Sequence, residues 1–389
     1  MKLLLLIIAS ISLSCGKRGS SGADPFTEED DYFTENVCLS DCSTPKELSY
    51  SFSKSHGVAQ DGCEIKEFQF MTLDAGFKLV YHAECLDGSQ VYQMDLDSNA
   101  VPTSDPLMLS SECHDYFFDV EVFAASFSGN EMALVYSCRE SYSRSVSYTK
   151  VMTKDGVVTG PSLLEESTNS SYLNDKYNYM IEWNETVGVF GIVRKGNFWR
   201  LNKANEVLGA VVAIASKEFP YQLKAVDDHW QIFSKGKYYS NSTYCSKVSS
   251  VGIPQCNDKK LELSSALALS GSTLLSQDTF SDEIKMSKFN SGTCAASEAL
   301  SIGSLNDGSI DVMWEPLALS NGYVMVPYTV AGVVKVFFYE DDLETSLLAE
   351  VSVGNGVGVD WVSALDLGDR ILVAWLGDGN VVMSFSDAE

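Results

Sequence analysis

Seven side chains that could stack on or hydrogen-bond a ligand stand in short polar segments just before strand-like apolar stretches. They are His114, Asp115, Tyr172, Tyr177, Tyr179, Tyr221 and Asp360. Tyrosine offers a flat apolar ring with a hydroxyl, and aspartate and histidine add hydrogen bonds, so the set suits a sugar or a peptide. We predict that these residues form one binding rim. The alternative is that tyrosine, present 18 times, is simply common in a β protein.

Residue patterns for catalysis and metal binding are incomplete in this chain. The sequence has no His-Glu-x-x-His, no Gly-x-Ser-x-Gly and no phosphate-binding Gly-x4-Gly-Lys-Ser/Thr. Asp95, Asp97 and Asn99 are spaced like the start of a calcium loop, but Ala100 replaces its glycine and Pro106 its final acid. We therefore predict no catalytic residue, no metal and no cofactor.

One short segment resembles a fragment of a known motif, although an ordinary loop explains it better. The run 306–309, Asn-Asp-Gly-Ser, resembles a fragment of the Asp-box of sialidases, which recurs in several blades of that family and occurs once here. Sialidases also use three arginines, whereas Arg139 and Arg144 share one hairpin and Arg370 is expected on the opposite rim. Asp115, Asp119, Glu121 and Asp360 lie near predicted inner strands. A carbohydrate-active hydrolase or lyase therefore stays the alternative function.

The elements that must position the rim are read from a repeat. An apolar strand, a short turn and a second, continuously apolar strand recur every 42–55 residues; the second strands are centred on Leu79, Leu134, Val189, Ile232, Leu274, Val324 and Leu372. Periods of about 40–50 residues with several strands are typical of propeller blades. We predict an all-β propeller of seven four-stranded blades; six or eight stay open because the unit 234–272 is weakly patterned.

The two ends of the repeat predict how the ring closes. The last copy stops after three strands at Glu389, and Leu48–Ser53 alternates like a strand before the first copy. An N-terminal strand that completes the last blade removes an open sheet edge. We assign the propeller domain to 47–389.

The N-terminus predicts export and a lipid anchor. Lys2 and the apolar run 3–13 form a signal-peptide core that is too short to span a bilayer. Ser12-Leu13-Ser14-Cys15 resembles a bacterial lipobox, which implies acylation of Cys15. We assign 1–14 to the signal peptide and 15–46 to an acidic tether. An ordinary secretory peptide is the alternative, and Gly16 after the cysteine favours the outer over the inner membrane.

Nine cysteines remain after Cys15, which suits an oxidising compartment. Cys63 with Cys85, and Cys113 with Cys138, occupy similar places in neighbouring repeats. Cys245 and Cys256 flank a turn and could pair, and Cys38 with Cys42 is the simplest remaining pair. This assignment leaves Cys294 free.

Composition narrows the function classes. The chain of 389 residues carries 27 basic and 53 acidic side chains, a net charge of −26, which disfavours nucleic acid as a partner. We predict a non-enzymatic propeller lipoprotein of the bacterial envelope that binds a protein or glycan through its loop-rich face. Its layout resembles the lipoprotein propeller of the outer-membrane barrel-assembly machinery. A structural or adhesin-like surface protein is a further alternative.

Overall fold

The chain folds into seven small antiparallel sheets arranged as the blades of a ring. The computed structural model describes residues 51–387 except 87, 115–119, 142–143, 168–178, 195, 215–218, 236–242, 262–266, 271–272, 278–282, 298, 305–311, 315, 320–321, 341–348 and 356–361. The predicted all-β propeller with seven blades is therefore confirmed. No helix in the described part of the chain is long and apolar enough to cross a membrane.

Strand β1 (Ser51–Val58) comes first in the chain and joins the last blade. Blade 1 contains β2 (Cys63–Leu73), β3 (Gly76–Cys85), β4 (Gly88–Asp97) and β5 (Leu107–Met108). A short helix, α1 (Ser111–His114), follows. Blade 2 contains β6 (Val120–Phe127), β7 (Glu131–Ser141), β8 (Arg144–Thr153) and β9 (Val158–Ser167). Blade 3 contains β10 (Met180–Asn184), β11 (Val189–Arg194), β12 (Asn197–Leu201) and β13 (Val212–Ala213).

The second half of the ring has the same plan, except that the fourth strand of blade 5 and the first strand of blade 6 are each divided into two short strands. Blade 4 contains β14 (Phe219–Val226), β15 (His229–Lys235), β16 (Thr243–Ser249) and β17 (Pro254–Leu261). Blade 5 contains β18 (Leu267–Ser270), β19 (Thr273–Gln277), β20 (Glu283–Asn290), β21 (Ala295–Ala296) and β22 (Leu300–Ser304). Blade 6 contains β23 (Val312–Met313), β24 (Leu317–Ala318), β25 (Tyr323–Val330), β26 (Val333–Glu340) and β27 (Ala349–Asn355). Blade 7 contains β28 (Val362–Asp366), β29 (Ile371–Gly377), β30 (Asn380–Asp387) and β1.

The second strand of each blade is largely buried and mainly apolar because both of its sides are covered. All seven marker residues of the repeat lie in these strands, and none is more than 8% exposed. In β3, Leu79 and Tyr81 pack toward blade 7, whereas Val80 packs toward blade 2. Seven apolar clusters among the described residues lie one at each junction between successive blades, including the junction of blades 7 and 1. This arrangement closes the ring.

The last blade is completed by the N-terminal strand, as the sequence predicts. Strand β1 pairs antiparallel with β30 from Ser51 opposite Asp387 to Val58 opposite Val381. The closing strand extends to Val58, five residues beyond the predicted Leu48–Ser53, because Val58 is 1% exposed and packs in the cluster between blades 7 and 1. Phe52, near the other end of β1, packs against the cluster between blades 6 and 7.

The blades have two different ends. Connections into each innermost strand, and those between second and third strands, lie at one end, which we call the loop face. The first-to-second and third-to-fourth hairpins lie at the other end, which we call the turn face; the hairpin after β2 is an example. Because β1 runs antiparallel to β30, Ser51 lies at the turn face and the chain leaves β1 at the loop face.

Two glycines allow close approach between blades. An added Cβ on Gly191 in β11 would lie 2.6 Å from Nε1 of Trp230 in blade 4. An added Cβ on Gly354 in β27 would lie 2.6 Å from Cζ2 of Trp375 in blade 7. Each glycine therefore forms the flat surface against which a buried tryptophan of the next blade rests.

Candidate functional site on the loop face

The structure describes three of the seven predicted rim residues, and one of the three is an exception to the prediction. His114 ends α1 just before blade 2, and Tyr221 lies in β14. Asp115, Tyr172, Tyr177 and Asp360, with the acid Asp119, lie outside the described residues. The side chains of His114, Tyr221 and Glu121 also lie outside what the structure describes.

Tyr179 is the exception, because it is a core residue and not an exposed contact. It is 3% exposed and belongs to the apolar cluster between blades 2 and 3. Its hydroxyl lies 2.6 Å from Ser147 Oγ and 3.3 Å from Glu165 Oε2, and Arg194 Nη1 donates a hydrogen bond to it at 3.0 Å. Burial raises the pKa of Tyr179 to about 12, against the opposing charge of Arg194. The prediction of Tyr179 as a ligand contact is corrected accordingly.

A disulfide and an ion pair hold the segment that leads into blade 2. Cys113 in α1 is bonded to Cys138 in β7. Lys150 Nζ lies 2.8 Å from Glu112 Oε1, and the Tyr136 hydroxyl donates to Glu112 Oε2 at 2.7 Å. Partial burial of Glu112 acts to raise its pKa, but the hydrogen bonds from Lys150 and Tyr136 bring the net pKa below its ordinary value. Glu112 is therefore an ionised, structural carboxylate.

Blade 1 repeats this arrangement. Cys63 is bonded to Cys85, and the Tyr81 hydroxyl donates to Gln60 Oε1 at 2.8 Å in the connection that precedes β2. A regular hairpin that turns at 74–76 would set Cys85 opposite about Ile65, with Cys63 one diagonal away. In the structure a bulge between Ile65 and Glu67 brings the two cysteines directly opposite each other. Two neighbouring blades thus hold their loop-face ends with a disulfide and a tyrosine hydroxyl.

Leu86 is a loop-face residue that no sequence pattern indicates. It directly follows Cys85 and is 99% exposed, the largest value among the exposed large apolar residues that the structure describes. A single exposed leucine is ordinary, but this one stands on a corner fixed by a disulfide. No sequence signal distinguishes it, because its exposure depends on where β3 ends.

The pairing predicted for Cys245 is wrong. Cys245 in β16 lies opposite Lys259, and Cys256 lies opposite Lys247, two residues further along β16. The Cα atoms of Cys245 and Cys256 are offset by two residues along the strand and by one interstrand spacing, so they lie about 8 Å apart. This distance is too long for a disulfide. Cys245 Sγ instead lies 2.6 Å from Cys294 Sγ in blade 5. Cys15, Cys38 and Cys42 lie outside the described residues.

Side chains of the innermost strands link blades 1 to 4 in succession around the ring. Glu67 in β2 accepts a hydrogen bond from the backbone of Phe123 in β6. Ser126 in β6 accepts from the backbone N–H of Trp183 in β10 at 3.0 Å. Glu182 in β10 accepts from the backbone of Ala225 in β14. Three successive junctions therefore use the same kind of side-chain-to-backbone bond.

Burial shifts the charges of this inner layer toward the neutral forms. Loss of water around Glu67 raises the pKa of its carboxyl to about 8, although the Phe123 hydrogen bond opposes the shift. Glu182 Oε1 lies 3.9 Å from Lys224 Nζ in blade 4. Burial raises the pKa of Glu182 and lowers that of Lys224, while their mutual attraction opposes both changes. In the part of the chain that the structure describes, no group of three or more His, Cys, Asp or Glu is placed to hold a metal ion.

The pKa of Glu67 makes stability depend on pH. An acid whose folded pKa exceeds its unfolded value binds an extra proton when folded, so the free energy of unfolding falls as pH rises from about 4.5 to 8. Glu67→Gln has no carboxyl to titrate, so its stability should not fall in this way. The Tm of the variant relative to that of the parent chain should therefore rise by several degrees between pH 4.5 and 8. The measurement is Tm by circular dichroism at half-unit pH steps.

The control for this pH effect has the opposite sign. Lys203 lies 2.7 Å from Glu131, and although burial opposes it, this ion pair lowers the pKa of Glu131. The stability that this ion pair adds is present above the unfolded pKa of Glu131 and is lost as pH falls. Glu131→Gln should therefore have a lower Tm than the parent chain near neutral pH, and this difference should shrink toward acid pH. A constant difference in Tm between Glu67→Gln and the parent chain would contradict the pKa shift of Glu67.

Comparison with known proteins gives the same fold. No protein-family model matches the chain, and no curated protein matches it. The propeller domain of the Trilobed protease from Pyrococcus furiosus, described as having an open velcro topology, is 12% identical with a TM-score of 0.52, over 85% of this chain and 97% of that one. The β-propeller domain of Myceliophteria thermophila Cps50 (Swd1) is 10% identical with a TM-score of 0.50, over 88% and 100%. At such low identity these similarities show a β-propeller and no particular activity.

Proposed function

We propose that this chain is an exported, lipid-anchored β-propeller that binds a protein or glycan partner on its loop face without catalysing a reaction. The observation that carries the proposal is the pair of disulfides, Cys63–Cys85 and Cys113–Cys138, which brace the same face of neighbouring blades. Disulfides persist in oxidising compartments outside the cytosol, which agrees with the signal-peptide pattern of residues 1–14.

We favour the loop face as the binding surface because the described strand ends of blades 1 and 2 form a rigid base there. Disulfides and tyrosine hydroxyls fix the strand ends of blades 1 and 2, and Leu86 stands fully exposed beside Cys85. We predict that the remaining rim candidates belong to this face: His114, Asp115, Tyr172, Tyr177, Tyr221 and Asp360. Ligand-binding residues concentrate on loops that a rigid scaffold positions.

The turn face has connections suited to strand reversal. Two residues separate β2 from β3, and two separate β14 from β15. Lys154 of blade 2 lies 3.1 Å from Asp74 in the first of these hairpins, and Lys203 of blade 3 lies 2.7 Å from Glu131 of blade 2. These two ion pairs connect neighbouring blades and so stabilise the ring.

The anchor is tested at Cys15. Acyl chains add about 0.8 kcal/mol of membrane affinity per buried methylene, so several chains hold a protein firmly. We expect Cys15→Ser to move the protein from the membrane fraction to the soluble fraction, and native mass spectrometry to find acyl mass on the parent N-terminus. A mature parent protein without acyl groups would contradict the lipid anchor and leave export by an ordinary signal peptide.

The binding face is tested with a matched pair of double variants. Because buried aromatic contacts often cost at least about 2 kcal/mol when truncated, Tyr172→Ala with Tyr177→Ala should weaken binding more than about tenfold at unchanged Tm. The control is Val251→Ala with Ile253→Ala, two exposed apolar residues of the turn face. The readout is the affinity for a glycan found on an array or for a protein crosslinked in the native envelope.

Two outcomes would overturn this function. Loss of binding in the turn-face control, with the tyrosine variant unaffected, would show that the ligand binds the opposite face. Turnover of any substrate in a panel of glycoside hydrolase and lyase assays would favour the carbohydrate-active alternative.

A further inference from the structure

Two cysteines from neighbouring blades meet in the ring. Cys245 lies in β16 of blade 4, and Cys294 lies in the turn between β20 and β21 of blade 5. Their Sγ atoms are 2.6 Å apart, and both residues are 0% exposed. Unbonded sulfur atoms do not pack this closely, since van der Waals contact even between carbon atoms begins near 3.5 Å.

The surroundings of the pair suit a neutral group. The two cysteines share an apolar cluster whose other buried members are Phe233, Leu261, Leu274 and Phe289. An apolar environment disfavours a thiolate and so disfavours a reactive or metal-binding role. A disulfide carries no charge and satisfies both sulfur atoms inside such a cluster.

The turn that carries Cys294 is held against blade 4. Lys259, which faces Cys245 across β16 and β17, donates from Nζ to the backbone oxygen of Thr293 at 2.8 Å. Cys294 itself has a φ of 49°, a left-handed conformation that suits glycine or asparagine better than cysteine. The turn alone does not call for a cysteine, so the side chain at this position is required by its contact with Cys245.

We propose that Cys245 and Cys294 form a disulfide that joins blade 4 to blade 5. The two thiols lose two protons and two electrons, and the oxidant is the disulfide of a thiol–disulfide oxidoreductase, which is reduced to its dithiol. One thiolate attacks the oxidant to give a mixed disulfide, and the second cysteine displaces the oxidant's sulfur. Because both residues are fully buried, the bond forms during folding, before the blades pack.

This bond differs in kind from the two disulfides of blades 1 and 2. Cys63–Cys85 links two strands of blade 1, and Cys113–Cys138 links α1 to the adjoining blade 2. The proposed bond instead links two blades, and its cysteines are 49 residues apart in the chain. A crosslink that closes a loop of this length restricts the unfolded chain strongly. It therefore stabilises the contact between blades and not only one hairpin.

The primary experiment uses the unmodified full chain, exported and purified without reductant. The protein is denatured, alkylated without reduction, digested and analysed by mass spectrometry. We expect a crosslinked peptide pair containing Cys245 and Cys294, with neither residue alkylated. Alkylation of both residues, or a crosslink from Cys245 to Cys256, would overturn the proposal.

Variants test the contribution of the bond. Cys245→Ala with Cys294→Ala should lower Tm by about 5–10 °C, and reductant should lower the Tm of the parent chain further than that of this variant. Cys256→Ala is the matched control, and it should retain the crosslink between Cys245 and Cys294. Loss of that crosslink in the control would contradict the pairing.

Discussion

Deletion of residues 48–58 is expected to lower the Tm of the ring by more than about 10 °C. The deletion removes all of β1, and with it seven register pairs to β30 and the burial of Val58. Burial of a valine is worth about 1.5–3 kcal/mol, and each hydrogen bond a further 0.5–1.5 kcal/mol. The lost stability is therefore on the order of 5 kcal/mol or more, measured by thermal and urea unfolding.

Three further experiments accompany the deletion: a control deletion, a point variant and a peptide complementation. Deletion of the equally long tether segment 20–30 should leave Tm unchanged. If the 48–58 deletion does not fold, Val58→Asp, which buries a charge at a position 1% exposed, should lower Tm in the folded full chain. A peptide of residues 48–58 added to the deletion variant should raise its Tm by pairing with β30, whereas a scrambled peptide should not. An unchanged Tm after deletion would show that β1 does not close the ring.

Gly191→Ala is expected to destabilise the protein by about 1–3 kcal/mol, the usual cost of overpacking a filled core. The new Cβ would lie 2.6 Å from Trp230 Nε1 and 2.8 Å from Trp230 Cδ1. Trp230 has no room to withdraw, because it is 0% exposed and its indole nitrogen donates to the Glu182 carbonyl at 3.4 Å. The measurement is the urea midpoint at constant m-value.

The matched control for Gly191 is a glycine in another strand. A Cβ on Gly57 in β1 would meet nothing within 4 Å, so Gly57→Ala should change stability little. The double variant Gly191→Ala with Trp230→Leu should lose less stability than the sum of the losses in the two single variants, because the smaller side chain relieves the clash. Equal effects of Gly191→Ala and Gly57→Ala would contradict the packing of Trp230 on Gly191.

The fold could be predicted because its signals are local. A second strand covered on both sides is mainly apolar, as the run around Leu134 is, and a last repeat with three strands needs a fourth strand from elsewhere. The pairs Cys63–Cys85 and Cys113–Cys138 could be predicted because both cysteines of each pair lie within one repeat, at similar places in the two repeats. The end of β1 at Val58 was missed because packing against blade 1, and not alternation, sets it.

The candidate site could be predicted only in part, because its remaining features depend on contacts between blades. Tyr179 ends a polar stretch that is typical of an exposed loop, yet the next strand draws it into the core beside Arg194. Cys245 was assigned to the cysteine closest to it along the chain, whereas a turn of the following blade supplies its neighbour. The packing of Trp230 on Gly191 also joins two blades, so no pattern within one repeat predicts it.

The way in which the chain joins the ring determines how the protein would carry a mechanical load. Ser51 lies at the turn face, and β1 runs from there toward the loop face beside β30. A membrane anchor at Cys15 and a partner on the loop face would pull on opposite ends of the propeller, along the length of β1. The hydrogen bonds between β1 and β30 would then be loaded together in shear and not broken one after another, so the seam that closes the ring would also be the part that resists tension.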